Sequence, residues 1–243
     1  MLTGLYSAAS GLQAAERIHD VIAENLAHLN VPGYRGQSIA TQTFEQAMQG
    51  ALERPSPEGH GAVVAQIATD FTPGATAQTG RPLDVSISGD GFFEVAGPNG
   101  PLYTRNGVFQ VNQDRQIVTS DGLVVQGTTG PITLADNATT EDINISRDGN
   151  VSVNGQTLDQ LRLVSFADKR QLTRVGTTLF SAPPAQVPQP ADVTVMQGVR
   201  ELSNVSAVGE MVRMIWGTRH YEAAQKAMST LDEAISKTTN PQD

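Results

Sequence analysis

With 243 residues, a net charge of -9 and a sequence pI near 4.9, the chain is long enough for a substantial core with extensions, and too acidic to favour nucleic acid or an anionic membrane surface. It has no cysteine, which excludes disulfides, thiolate metal sites and a cysteine nucleophile. Met1-Leu-Thr-Gly-Leu-Tyr6 lacks the basic start and the apolar run of a secretory signal, and no segment approaches a membrane span, so departure from the cytoplasm would need another route.

The first stretch carries a seven-residue repeat. Leu5, Leu12, His19 and Leu26 fall seven apart, and Ala8, Ala15, Ile22 and Leu29 follow three residues after each, which predicts one long helix with a seam and a single polar intruder. As a continuous helix, Leu5 to Leu29 would reach about 36 Å. Asn30-Val-Pro-Gly33 stops it, because Pro32 disfavours helical geometry at Val31 and Pro-Gly suits a type II turn. Residues 34–80 lose the helical rhythm. Arg54-Pro-Ser-Pro-Glu-Gly-His-Gly61 is their most loop-like part, and residues 41–52 are read as a short helix.

From residue 81 the period changes to two. Leu83, Val85 and Ile87 alternate with Asp84, Ser86 and Ser88, a half-buried strand that would put Asp84 on the outer face. Short apolar runs separated by Gly89-Asp-Gly91, Asn106-Gly107, Asp121-Gly122, Asp148-Gly149 and Asn154-Gly155 continue the pattern to about residue 181, predicting a small barrel or sandwich. Ala182-Pro-Pro-Ala-Gln-Val-Pro-Gln-Pro190 is too rich in proline for helix or central strand and reads as a semi-rigid connector. The last stretch is helical again: Met211, Met214, Thr218, Tyr221, Ala224, Met228, Leu231 and Ile235 recur at steps of three and four, with Ser206 placed to cap the start. The expected fold is α+β, with long coiled-coil-like terminal helices flanking a central all-β barrel or sandwich. Its expected divisions are helix and turn at 1–34, connector at 35–80, β domain at 81–182, Pro-rich connector at 183–202, and helix with tail at 203–243.

Chemistry has little foothold in these residues. The histidines at 19, 28, 60 and 220 lack the spacing of a zinc site on one helix face, and His19 reads as a packed polar residue on the seam. Asp148-Gly-Asn-Val-Ser-Val-Asn-Gly155 resembles a calcium loop only faintly, since the glycine required at the sixth place is Val153, and a pair of hairpin turns accounts for it. Gly89-Asp-Gly91 lacks the third glycine and following helix of a dinucleotide site, and turn geometry explains Asp90. Asp84, Asp90 and Glu94 are the candidate carboxylates, without a base or nucleophile beside them in the pattern. No catalytic residue, cofactor or metal site is expected. An apolar helical stripe is most often ordinary core, yet two helices cover only one side of each other. Further subunits are one way to bury the rest, and a head-to-tail contact that fails to close would make a helical tube.

Several stretches resemble the axial proteins of the bacterial flagellar rod and hook. Asn25-Leu-Ala-His-Leu-Asn-Val-Pro-Gly-Tyr34-Arg35 is similar to that family's N-terminal signature, departing from it at Glu24, Leu29 and Val31. Arg81-Pro-Leu-Asp-Val-Ser-Ile-Ser-Gly-Asp-Gly-Phe-Phe93 and Tyr103-Thr-Arg-Asn-Gly107 resemble its internal motifs. Ser203-Asn-Val205, Glu210-Met-Val212, Ile215 and Arg219-His-Tyr-Glu222 resemble its C-terminal one.

The resemblance implies a structural subunit of the basal body. It implies export unfolded through the flagellar type III apparatus without a cleaved signal, and partners that are further copies and other rod or hook proteins, with no nucleic acid and no small-molecule substrate. It also implies terminal helices forming an inner tube, a β domain outside, and ends that order on assembly. Thr72-Pro-Gly74 and Met196-Gln-Gly-Val199 look most like the proximal rod subunit, with a distal rod or hook-type subunit as the alternative. A coiled-coil oligomer or a sugar-binding β domain is the rival outside the family. The expected assembly residues are Leu5, Leu12, Ile22, Asn25, Leu26, Gly33, Tyr34, Ser203, Asn204, Met211, Met214, Ile215, Tyr221 and Met228.

Overall fold

The computed structural model describes residues 2–39, 67–135 and 138–239, with side chains described between residues 11 and 230 of those ranges and at Glu233. The helix expected at 41–52 lies outside the described residues. The chain divides into two compact units, each built from separated stretches: a helical unit of residues 1–27, 37–70 and 205–243, and a β unit of residues 28–36 and 71–204.

In the helical unit, α1 (Leu2–Ala27) and α2 (Ala207–Thr239) lie against each other, with a short antiparallel pair, β1 (Gln37–Ile39) and β2 (Ile67–Thr69), beside α1. Ser206 caps α2, its Oγ accepting from Gly209 N–H at 3.3 Å. Asn25 joins α1 to β1 through both ends of its amide: Nδ2 donates to the Gln37 carbonyl at 2.8 Å, and Oδ1 accepts from Gln37 N–H at 2.9 Å.

The β unit holds the remaining strands. These are β3 (Thr76–Gln78), β4 (Val85–Ser88), β5 (Phe92–Gly97), β6 (Gly100–Thr104), β7 (Phe109–Val111), β8 (Ile117–Thr119), β9 (Ile143–Ile145) and β10 (Asn150–Val153). They are followed by β11 (Gln156–Gln160), β12 (Leu163–Ser165), β13 (Thr173–Val175), β14 (Leu179–Ser181), β15 (Gln189–Pro190), β16 (Thr194–Gln197) and β17 (Val199–Glu201). Six of them form one sheet in the order β13-β14-β6-β5-β12-β15, three form β11-β10-β9, and β4 pairs with β16, β3 with β17 and β7 with β8. Asn154 and Gly155 take positive φ, 52° and 80°, in the tight hairpin between β10 and β11, so the stretch resembling a calcium loop is turn chemistry. An apolar core around Phe93, Val95, Phe109, Ile117 and Val151 fills one side, and an aromatic cluster of Phe92, Tyr103, Phe166 and Phe180 fills a second.

Two expectations are corrected. The fold is not α+β with a coiled-coil-like helix pair: among the described residues there are two α-helices against 17 strands, and the chain is mainly β. A coiled coil needs apolar knobs on both helices. Burial on α1 instead centres on Ala15, Val21, Ile22 and Asn25, leaving Leu12, His19 and Leu26 half-covered, while α2 buries Glu210 and Gly217 and exposes Met211, Ile215, Trp216 and Tyr221. The helices meet where one has no side chain, since a Cβ on Gly217 would lie 3.2 Å from His19 Nε2. Asp84 is likewise not on an outer face. It and Ser86 are fully buried, because β4 is covered on both sides rather than one.

Candidate functional site

The motif-bearing stretches of the β unit converge on one carboxylate. Glu201, at the end of β17 and buried to 3% exposure, takes the Arg35 guanidinium on Oε1 at 2.7 Å, and Arg105 Nη1 lies 3.6 Å from its other oxygen. Gly74 N–H also donates to Oε1 at 2.9 Å, and Gly33 N–H donates to the Glu201 carbonyl at the same distance. Asn204 adds a second tie, its Oδ1 accepting from Gly36 N–H at 2.7 Å and its Nδ2 donating to the Thr72 carbonyl at 3.0 Å. The turn after the first helix, the 72–74 loop, the strand end at 104–107 and the segment before the last helix are thereby fastened at a single buried point.

Local chemistry explains why these residues reach it. Pro32-Gly33 reverses the chain with Gly33 at φ +67°, and a side chain there would place its Cβ 2.3 Å from Asn106 N, so glycine serves both the turn and the approach. The reversal buries Tyr34 completely, stacked on His28 at 5.0 Å, with the Arg174 guanidinium 4.8 Å above its ring. Arg174 also donates to the Arg35 carbonyl. Arg105 crosses from the end of β6 to donate to the carbonyls of Ile87 and Gly89, and burial lowers its pKa against the opposing pull of Glu201. Two guanidiniums thus face one carboxylate in a site closed to water.

The other candidate carboxylates stand apart from this point. Asp90 is exposed and paired with Lys169 at 2.7 Å, a hydrogen bond that holds its pKa down. Glu94 sits 3.2 Å from Arg162 Nε, and burial holds its carboxyl above the ordinary glutamate value. Asp84 faces Arg81 at 3.6 Å.

The expected assembly residues divide between the two units. Gly33, Tyr34, Ser203 and Asn204 gather around the Glu201 point in the β unit, whereas Leu5, Leu12, Ile22, Asn25, Leu26, Met211, Met214, Ile215, Tyr221 and Met228 lie on the two helices. Of the latter, Ile22 and Asn25 are buried, Leu12, Leu26, Met214 and Met228 are half-buried, and Met211, Ile215 and Tyr221 are exposed; the Leu5 side chain is outside the described set.

Three family models match the chain in order. They are a flagella basal body rod protein model over residues 5–35, a flagellar hook protein FlgE/F/G D1 domain over 86–153, and a flagellar basal body rod FlgEFG protein C-terminal model over 196–240. The flagellar basal-body rod protein FlgG of Borreliella burgdorferi is 32% identical over 264 residues, covering 99% of this chain and 98% of its own. The chain belongs to the flagellar basal-body rod protein family. FlgG of Agrobacterium fabrum is 35% identical, and FlgF of Rhizobium meliloti 33%, each aligned over 97% of both chains.

The matched rod-family regions 5–35 and 196–240 are those that Arg35, Glu201 and Asn204 join. Glu201, Arg105 and Arg174 are the residues that sequence reasoning passed over. The one local signal for Glu201 is its place two residues before Ser203-Asn204, inside the C-terminal motif region.

Proposed function

We propose that this member of the rod family is a structural subunit of the bacterial flagellar basal-body rod, polymerising through the terminal segments 1–34 and 203–243. These carry a β domain over residues 81–182 on the connectors 35–80 and 183–202. Its work is mechanical and not catalytic. Its partners are further copies and other axial proteins of rod and hook, with no small-molecule substrate, and it reaches them through the flagellar type III apparatus without losing a signal peptide. The carrying observation is the ordered run of rod-family regions on a chain whose last helix turns Met211, Ile215 and Trp216 to solvent, Ile215 at 57% exposure. Apolar surface of that kind, on a subunit of a polymer, is where neighbours pack.

Leu12 and Met214 test the assembly seam. In a strain lacking the native copy, Leu12→Asp or Met214→Asp should abolish incorporation into basal bodies while the β domain stays folded by circular dichroism. Normal rods built from either variant would sink the seam. The likeness of Thr72-Pro-Gly74 and Met196-Gln-Gly-Val199 to the proximal rod subunit supports a proximal position. Basal bodies of the deletion strain should then lack the whole rod in electron micrographs, and a rod missing only its outer part would contradict that position.

A further inference from the structure

The helical unit has an open-sided groove of about 450 Å³ between α1, α2 and β1. Ile18, Ile22, Ile39 and Trp216 give it apolar walls, and Glu210 lies within it. The Glu210 side chain is only 7% exposed. One of its oxygens takes Arg213 Nη1 at 2.8 Å, and the other, Oε2, is buried with no hydrogen-bond partner among the described residues. A buried carboxylate oxygen in that condition is an acceptor that a further donor would satisfy.

The same helix offers one on another surface. Val208, Val212, Ile215 and Arg219 follow one another at steps of three and four, forming a single stripe about 16 Å long. The groove wall from Ala15 to Asn25 is about 15 Å. All four stripe residues are exposed, Val208 at 70%, and Arg219 has no ion pair among the described residues. Apolar walls with a buried acceptor at one place, and an apolar stripe ending in a guanidinium at another, are complementary in both character and charge.

We propose that the groove of one subunit receives the 208–219 stripe of the next, with Val212 and Ile215 against Ile18, Ile22 and Ile39, and Arg219 donating to Glu210 Oε2. Groove and stripe are different surfaces, so the contact is heterologous and repeats without closing. This pairing rests on the reading of the chain as a rod subunit.

The absence of native cysteine makes a direct test available. Two single-cysteine versions of the full chain, Ile18→Cys and Ile215→Cys, are co-expressed in a strain lacking the native copy, and the isolated basal bodies are oxidised. A mixed disulfide dimer should form there and be absent from bodies built of either variant alone. Basal bodies that contain both variants but no mixed dimer overturn the pairing and leave the rod reading standing. Failure of the unsubstituted chain to enter basal bodies removes both. Arg219 is exposed, so its substitution leaves the subunit's fold intact: Arg219→Glu should lower incorporation about tenfold, with Arg219→Lys near normal. Undiminished incorporation of Arg219→Glu overturns the ion pair.

Discussion

Glu201 answers to two cations, Arg35 at 2.7 Å and Arg105 at 3.6 Å, and its removal strands both where their side chains are buried to 1% and 4% exposure. Glu201→Gln should therefore destabilise the β unit by about 3–5 kcal/mol, the cost typical of breaking a buried ion pair on one side. Urea unfolding measures it, and a change below 1 kcal/mol would show the arginines to be held by their carbonyl partners instead. Gly33 and Gly80 make a matched pair at φ +67° and +73°. A side chain at Gly80 meets nothing within 4 Å, whereas one at Gly33 runs into backbone. Gly80→Ala should cost about 1–2 kcal/mol from the left-handed conformation alone, and Gly33→Ala clearly more. Glu94 sets a pH dependence. Burial raises its carboxyl pKa, so its contribution is present below the ordinary value of about 4.3 and is lost as pH rises through the raised one. Between pH 4 and 7 the wild type should lose stability relative to Glu94→Gln, and parallel stability profiles would contradict this. The turn at Pro32-Gly33 was legible in the sequence because its chemistry is local. The Arg35–Glu201 pair was not, since its members lie 166 residues apart and the motifs in which they sit do not mark them as partners.

At the scale of elements, the helices and hairpins follow their local signals, while the faces they cover follow their neighbours. The Ser206 cap and the Asn154-Gly155 hairpin stand where capping and turn chemistry put them. The heptad pattern of α1 put His19 on the seam, and His19 does meet α2, but its partner there is Gly217, and hydrophobic periodicity cannot mark a glycine. The expectation for Asp84 failed for a related reason: alternation presumes one wet face, and β4 meets water only at its last residue, Ser88. Gly217→Leu should push the helices apart at His19. Its effect is expected on the helical unit alone, read as lost helix protection in hydrogen exchange with the β-unit amides unchanged. Equal protection in variant and wild type would show that the approach at Gly217 is incidental.

For the whole molecule, hydrogen exchange on the dilute full chain separates a waiting assembly element from a finished core. Amides of α1 and α2 are expected to exchange well before those of the β unit, because α2 leaves its large apolar residues uncovered. Gly33 and Gly36 should keep pace with the β unit, since their N–H groups donate to the Glu201 carbonyl and to Asn204. Helices protected as strongly as the sheets would mean that the monomer already satisfies them. The tie between Gly36 and Asn204 spans 168 residues and fastens the chain leaving the first helix to the chain entering the last. In a shaft that transmits torque, load entering through one terminal helix can pass across this clasp to the other without running through the sheets. The six-stranded sheet is then spared the tension that the termini carry, and a wrench on either helix is felt first at Glu201 and Asn204.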